Sequence, residues 1–255
     1  MCVLAFAWRL HPDWPLVLAG NRDELHARPA APLGRWADAP RLIGGRDLES
    51  GGIWLGISED GRLAVVTNFR GFGSPDDGAP SRGLLARDFL AGEGRYARFA
   101  TADLEAFNPL NMIVVEGAAA RFFCNRPSAQ VRELPPGLYG LSNGDLDAPW
   151  PKTRRLKAAM AAWLTARDHP AEPLLEALAD ETRPSDAELP STGLDLERER
   201  LVSPIFIRGE VYGTRCSTVI KVGSDGQGEA VERRFGPGGR PAGSTTLGFR
   251  WAPGW

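Results

Sequence analysis

The sequence predicts an α+β protein, because paired apolar runs alternate with helical segments and never form a repeating strand–helix–strand unit. Short apolar runs come in pairs that are joined by turn residues, as at Asp60-Gly61. Helical patterns occur twice, each time between groups of strands. We find no linker and no internal repeat in the sequence, so we predict one domain over residues 1–255.

The first half of the chain predicts two hairpins, a long loop and one helix. Apolar runs at residues 2–8 and 16–19 flank a His-Pro-Asp turn, and those at 53–58 and 63–68 flank the Asp-Gly turn. Residues 25–52 are rich in Pro, Gly and Arg, which favours a long ordered loop. Ser81 is a good N-cap for a helix through residue 91, and short helical sequence continues to residue 107.

The second half predicts a meander, two helices and a final group of strands. The meander comprises residues 111–115, 119–124 and 130–133, and a further strand is predicted over 138–143. Pro151 is typical of the first turn of a helix, here predicted over residues 151–167, and a second helix is predicted over 173–180. Residues 182–197 are polar and predict a surface loop. The final strands are predicted at residues 205–207, 214–222, 230–235 and 245–250.

Composition narrows the class of protein. The net charge of −2 comes from 30 basic and 32 acidic residues, and this balance argues against a nucleic-acid partner, which would favour a basic excess. No apolar run approaches the roughly 18 residues that a membrane span needs, so we expect no stable membrane insertion. The N-terminus also lacks a signal-peptide pattern, and we therefore expect a cytoplasmic protein.

The cysteines and histidines suggest neither a metal site nor a disulfide framework. Cys2, Cys124 and Cys216 are far apart in sequence, and an odd number in a cytoplasmic chain indicates free thiols. The three histidines are predicted at loops or helix edges, where a solvated surface role is the commoner one. A Cys–His catalytic pair stays open as an alternative.

Cys2 is the first candidate for chemistry. When an initiator Met is removed, the next residue carries both its side chain and a free α-amine. That amine has an ordinary pKa of about 7.7–8.0 and can serve as an internal general base for the thiol. A buried Cys that begins a strand is the competing structural explanation.

Polar residues cluster at the ends of several predicted strands. They form four short motifs, which are Asn21-Arg22-Asp23-Glu24, Thr67-Asn68, Tyr139-Gly140-Leu141-Ser142-Asn143 and Tyr212-Gly213-Thr214-Arg215. In the predicted first hairpin, Asn21–Glu24 lies beside Cys2, where an Arg lowers a thiol pKa and an Asp binds an amine. Asn side chains at strand ends supply N–H donors for an oxyanion. Each motif alone is equally compatible with an ordinary turn.

Together these motifs resemble the NRDE family, also called the transport and Golgi organisation protein 2 family. The matching segments are Met1-Cys2, Leu18 to Glu24, Arg28-Pro29, Gly51 to Ser58, Thr67-Asn68, Tyr139 to Asn143, Pro149-Trp150 and Tyr212 to Arg215. They follow in the expected order from residue 1 to about residue 222. The combination is specific, although each motif alone is weak.

The resemblance implies a fold and a set of site residues. The family is similar to the N-terminal-nucleophile (Ntn) hydrolases that cleave linear amides, which implies a four-layer αββα sandwich with two stacked antiparallel sheets. Matching motif to motif, the predicted catalytic residues are Cys2 as nucleophile, Asp23 as partner of its amine, Arg22 beside the thiol and Asn143 in the oxyanion hole. The predicted substrate-binding residues are Asn21, Asn68 and Arg215, and Asn21 is the alternative to Arg22 beside the thiol.

Two functions follow from this resemblance. The first is hydrolysis or acyl transfer on a small-molecule amide or thioester by an N-terminal Cys nucleophile. The second is a non-enzymatic protein that binds and moves haem or an acyl-CoA or lipid metabolite on the same fold. Neither needs a resident cofactor, although haem is a possible transported ligand. Four tryptophans in the N-terminal quarter are candidates to line an apolar pocket, or simply to pack a core.

Overall fold

The computed structural model describes residues 2–252, which form two compact units. The first unit contains residues 2–27 and 136–248, and the second contains 28–135 with 249–252. The strands are β1 Cys2–Trp8, β2 Leu16–Leu25, β3 Ala30–Trp36, β4 Ala39–Asp47, β5 Leu55–Ser58, β6 Arg62–Asn68, β7 Leu110–Glu116, β8 Ala119–Cys124, β9 Gln130–Glu133, β10 Gly137–Leu141, β11 Tyr212–Val222, β12 Gln227–Gly236 and β13 Arg240–Arg250. The α-helices are α1 Arg82–Ala91, α2 Pro151–Leu164, α3 Glu172–Leu178 and α4 Leu196–Leu201.

The first unit is built on a sheet with the strand order β10-β1-β2-β11-β12-β13 over the described residues. Alternation along β1 gives the sheet two buried faces. Small residues such as Val3 and Ala5 lie under α2, where they pack with Leu156 and Met160. The larger Leu4 and Phe6 alternate with them and are fully buried as well. Because both faces are buried, β1 appears in the sequence as an unbroken apolar run.

The second unit is a meander in which each strand pairs antiparallel with the next, from β3 to β9. Gly61 has a φ of 79° in the tight turn between β5 and β6, which is the left-handed region that Gly adopts without strain. The helix α1 covers one face, and its Leu85 and Phe89 share a core with Ala64 and Met112. The predicted α+β class with two antiparallel sheets is therefore confirmed. The single domain over residues 1–255 stays a prediction.

The segment predicted as a loop over residues 25–52 contains strands instead. The end of β2, all of β3 and all of β4 lie within it. The register between β3 and β4 shifts at two places, so their buried residues do not alternate regularly. In addition, β3 is an edge strand that contains Pro32, a residue which sheets tolerate at their edges. Because pairing at this edge is irregular, these strands have no regular alternation of apolar and polar residues in the sequence.

Two predictions near residue 200 also differ from the structure. The polar segment predicted as a loop over residues 182–197 is irregular apart from a short 3-10 turn at Asp186–Glu188, but its last two residues begin α4. The N-cap of α4, Asp195, accepts the Arg198 N–H at 2.8 Å. Residues 205–207, predicted as a strand, are irregular backbone. Ile205 is nevertheless buried, and its carbonyl accepts a 2.9 Å hydrogen bond from the Asn21 side chain. A tertiary contact thus takes the place of strand pairing.

Candidate active site

Cys2 lies opposite Arg22 in the sheet of the first unit. The antiparallel register pairs Cys2 with Arg22, and on the other side of β2 it pairs Arg22 with Cys216 of β11. Directly opposed residues project to the same face, so both thiols and the guanidinium share one face. All three residues are buried, with at most 9% of their surface exposed. Arg22 is therefore the cation between two cysteine positions.

The two thiols differ from surface cysteines in their acidity. Burial raises the pKa of the Cys2 thiol, and the Arg22 charge and a hydrogen bond from the Asp23 backbone act in the opposite direction. Burial also raises the pKa of the Cys216 thiol, and the Glu232 carboxylate adds to this effect. Both thiols are consequently protonated at neutral pH, and a nucleophile at Cys2 needs a general base.

Cys2 and Cys216 are placed to act as separate thiols. They stand on strands that are two positions apart in the sheet, which corresponds to a Cα separation of about 9.5 Å. A disulfide needs Cα atoms within roughly 7 Å. Oxidation therefore cannot join them without moving a strand.

The residues that follow β10 contact the backbone of Cys2. β10 pairs antiparallel with β1, with Leu141 opposite Leu4, so the chain after β10 emerges beside Cys2. The Ser142 hydroxyl donates to the Cys2 carbonyl at 2.7 Å. The Cys2 nitrogen donates to Oδ1 of Asn143 at 3.4 Å, and Asn143 is fully buried. This is the nitrogen that becomes the α-amine when Met1 is removed.

Asp23 is held by the Tyr-Gly-Thr-Arg segment. The Thr214 hydroxyl donates to Oδ1 of Asp23 at 2.7 Å and accepts the Ile207 N–H at 2.9 Å. The Tyr212 hydroxyl donates to the Asp23 carbonyl at 3.0 Å. Asp23 is buried, and its charge contributes to the raised pKa of Cys2, which puts the carboxylate within electrostatic range of the thiol. Sequence patterns gave no role to Thr214, because its contact spans 191 residues.

Asn21 belongs to a different network from its neighbour Arg22. It pairs with Val3, which lies on the helix-covered face of the sheet. Its amide donates to the carbonyls of Leu178 and Ile205 at 2.8 and 2.9 Å, and its Oδ1 accepts from Ser217 at 2.7 Å. These bonds fasten irregular backbone to the sheet. A contact between Asn21 and substrate stays a prediction, and it would require this network to open.

Arg215 brings a second guanidinium to the Cys2 end of β2. It occupies a register shift between Thr214 and Cys216, and its side chain donates to the Leu25 carbonyl at 2.7 Å. Burial lowers the pKa of Arg215, and repulsion from Arg22 lowers it further. The two arginines therefore sense each other's charge. Asn68, the last residue of β6, belongs to the second unit, and its predicted role as a substrate contact stays a prediction.

The histidines are less exposed than the sequence suggested. His11 and His169 are half-buried, and their ring centroids lie 4.6 Å apart. His26 is half-buried one residue after β2. Within residues 2–252, no group of three or more His, Cys, Asp or Glu side chains is arranged to hold a metal ion. The same part of the chain contains no helix that is long and apolar enough to cross a membrane.

Comparison with solved structures gives the class of fold. The C2A mutant of a conjugated bile acid hydrolase from Clostridium perfringens superimposes with a TM-score of 0.53, covering 97% of this chain and 92% of that one. The sequence identity is 10%, so the likeness concerns the fold alone. The protein thus has the fold of an Ntn hydrolase. It contains two antiparallel sheets flanked by helices, and a buried cysteine begins its first strand.

Sequence comparison identifies the family to which the chain belongs, which is a more specific assignment than the fold. The chain matches the Transport and Golgi organisation 2 family over residues 1–237, and it belongs to that family. It is 32% identical to the Transport and Golgi organization protein 2 homolog of Bos taurus and 31% identical to that of Homo sapiens. Each alignment covers 91% of this chain and 92% of the relative. The resemblance seen in the sequence motifs is confirmed.

Proposed function

We propose that this protein is an N-terminal cysteine hydrolase or acyltransferase that acts on a small-molecule amide or thioester. The observation that carries the proposal is the hydrogen bond from the Cys2 nitrogen to Asn143, beside a thiol that faces Arg22. A candidate nucleophile, a candidate base and a side-chain amide thereby meet at one residue. The fold of a bile acid hydrolase whose C2A mutant was crystallised is consistent with a cysteine at this position.

The α-amine is the general base of the proposed reaction. Burial keeps the Cys2 thiol protonated, so attack requires a proton acceptor within the site. After removal of Met1, the neutral α-amine accepts the thiol proton while Sγ attacks the substrate carbonyl carbon. The electrons of the C=O double bond move to its oxygen, and Asn143 is the proposed donor to that oxyanion.

The second half of the reaction returns the proton. The α-ammonium gives its proton to the leaving nitrogen or sulfur as the bond from carbon to the leaving group breaks, and a thioester remains on Cys2. Water then attacks this thioester with the amine as base, the C–S bond breaks, and Cys2 recovers its thiol. When an amine or thiol of a second substrate replaces water, the same step is acyl transfer.

Arg22 and Asp23 set the electrostatics of this site. Arg22 opposes the effect of burial on the Cys2 pKa, and so favours the thiolate that forms during attack. Asp23, held by Thr214, is the proposed partner of the α-ammonium that forms in the same step. Arg215 adds a second cation, which favours a substrate that carries negative charge close to the reacting bond.

The proposal is tested by covalent acylation. Protein with and without Met1, as determined by intact mass, is incubated with p-nitrophenyl acetate and with a panel of acyl amides and acyl thioesters. We expect an acyl adduct on Cys2 only where Met1 is absent, with release of the leaving group. Asn143→Ala is expected to slow acylation by about 10²–10³-fold, which is typical of one oxyanion donor.

Cys124→Ala is the matched control, because Cys124 is a buried cysteine of the second unit. It is expected to acylate like the wild type, whereas Cys2→Ala is expected to fold and form no adduct. Equal turnover by Cys2→Ala and wild type would refute the proposal. Binding of haem or an acyl-CoA without any product would instead support the non-enzymatic carrier.

A further inference from the structure

The loop between β10 and α2 makes contacts on both sides of Asn143. This loop, residues 142–150, carries Ser142 and Asn143 at its start and leads into α2 at its end. A side chain that stabilises an oxyanion must be held in place before the reaction begins, since its contribution depends on preorganisation. The contacts that hold this loop are therefore relevant to the proposed role of Asn143.

Asp147 closes the loop onto the strand that precedes it. Its backbone N–H donates to the Gly140 carbonyl at 2.8 Å, and its Oδ1 accepts the Gly140 N–H, also at 2.8 Å. The φ of Asp147 is 62°, in the left-handed region that Asp and Asn tolerate better than most residues. Lys157 of α2 donates to the same Oδ1 at 2.6 Å. Asp147 thus joins loop, strand and helix.

The surroundings of Gly140 show how closely α2 lies against this point. A Cβ at Gly140 would lie 2.3 Å from Cγ2 of Thr153 and 2.8 Å from Cδ of Lys157. Gly140 itself pairs with Ala5 of β1, the strand that begins at Cys2. The loop is therefore anchored three residues before Asn143, on the neighbour of the strand that carries the candidate nucleophile.

A second contact holds the loop at Gly144, the residue that follows Asn143. A Cβ at Gly144 would lie 2.7 Å from Cζ2 of Trp150, so the indole ring packs directly against the residue after Asn143. On the preceding side, the Ser142 hydroxyl binds the Cys2 carbonyl. Both sequence neighbours of Asn143 are therefore held, Ser142 by a hydrogen bond to Cys2 and Gly144 by packing against Trp150.

We infer that Asp147 is a positioning residue, and that its two hydrogen bonds with Gly140 hold Asn143 in place for acyl transfer at Cys2. The inference rests on the proposed function for its catalytic consequence, but the loop closure itself does not. Asp147 touches no reacting atom, and it acts through the loop. Its geometry matters more than its charge, because Oδ1 must reach the Gly140 N–H from a left-handed backbone.

Two substitutions separate geometry from charge. Asp147→Asn retains Oδ1 at the same reach and tolerates the positive φ, but removes the charge that faces Lys157. Asp147→Glu keeps the charge, but it adds a methylene and places the acceptor elsewhere. Asp225→Glu is the matched control, because Asp225 accepts the Gln227 N–H at 2.9 Å in the turn between β11 and β12.

Each variant is tested with two thiol reagents. p-Nitrophenyl acetate acylates Cys2 through a tetrahedral oxyanion, in which Sγ bonds to the carbonyl carbon, the amine takes the thiol proton and p-nitrophenolate leaves. Iodoacetamide alkylates the same sulfur by direct displacement of iodide, without an oxyanion. We expect Asp147→Glu to acylate about a hundredfold more slowly, the scale of a small misplacement, with its alkylation rate unchanged. Asp147→Asn and Asp225→Glu are expected to match the wild type with both reagents.

Hydrogen exchange of residues 142–146 supplies a readout that does not need catalysis. We expect faster exchange there in Asp147→Glu, and wild-type exchange in Asp147→Asn and Asp225→Glu. If wild-type protein lacking Met1 forms no adduct, the proposed function fails while the exchange result still decides the loop closure. The inference would be overturned if Asp147→Glu exchanged at the wild-type rate, or if Asp147→Asn lost as much acylation as Asp147→Glu. It would also be overturned if Asp147→Glu lost alkylation and acylation to the same extent.

Discussion

Alternation along β2 divides the Asn21–Glu24 motif between the two faces of its sheet. Arg22 shares a face with Cys2, whereas Asn21 shares the opposite face with Val3 and binds backbone carbonyls. Both residues are buried, and each has a specific task there, as buried polar groups require. A motif of four consecutive polar residues therefore serves the candidate chemistry and the fold at the same time.

His26, which follows this motif, gives the protein a pH dependence that can be assigned to one residue. Burial lowers the pKa of His26 below its ordinary 6.5, and repulsion from Arg215 adds to this, while Glu210 acts in the opposite direction. The unfolded chain therefore binds the proton first as the pH falls. Stability from this residue is complete above pH 6.5 and is lost progressively below it, until the folded state is protonated as well.

We expect His26→Gln to reduce that loss. The free energy of unfolding, measured by urea denaturation between pH 7.5 and pH 5.5, should fall less in the variant than in the wild type. The comparison concerns slopes, so a constant difference at pH 7.5 does not affect it. Identical slopes in the two proteins would show that His26 does not carry this dependence.

At the scale of elements, the approach of α1 to its sheet depends on two glycines. A Cβ at Gly52 would lie 2.3 Å from the carbonyl carbon of Gly83 and 2.7 Å from its Cα. Gly83 is in the first turn of α1, and its carbonyl accepts the Ile53 N–H at 3.0 Å. The first turn of α1 and the segment before β5 are therefore in backbone contact at Gly52 and Gly83. This contact leaves no room for a side chain at Gly52.

We expect Gly52→Ala to destabilise the protein by about 1–3 kcal/mol, because backbone atoms cannot move aside as a flexible side chain can. Urea denaturation measures the effect. Gly248→Ala is the control, since a Cβ at Gly248 meets no atom within 4 Å, and its effect should stay within about 0.5 kcal/mol. Equal stability of the two variants would contradict the close packing of α1.

At the scale of the molecule, the candidate site combines segments of the first unit that are far apart in sequence. β2 pairs with β11, which lies almost two hundred residues further along the chain, and residues 28–135 between them form the second unit. The second unit is a meander in which each strand pairs with its sequence neighbour. Local pairings form faster than distant ones, because less chain entropy is lost when the loop closes.

The three cysteines can be used to measure whether the local pairings of the second unit form before the distant pairings of the first. Cys124 lies in the meander, whereas Cys2 and Cys216 lie on strands that form distant pairings. When refolding protein is pulsed with a thiol reagent at successive times, we expect Cys124 to become protected before the other two. Simultaneous protection of all three cysteines would show that the two units fold in one step.

Local chemistry decided which parts of the fold were predictable from the sequence. The Asp60-Gly61 turn and the unbroken apolar run of β1 identified their elements, because each signal lies within a few residues. The loop predicted over residues 25–52 was wrong, since β3 and β4 pair irregularly at an edge. The candidate site residues were proposed from the family resemblance, whereas the contact of Asp23 with Thr214 depends on folding and has no local sequence signal.

The hydrogen bond between Cys2 and Asn143 has a practical consequence for recombinant material. The Cys2 nitrogen lies 3.4 Å from Oδ1 of Asn143, so any group bonded to this nitrogen starts beside that side chain. A purification tag fused ahead of this residue would convert the amine into an amide, which cannot serve as the proposed general base. Affinity tags therefore belong at the other end of the chain, or before a protease site whose cleavage leaves cysteine first.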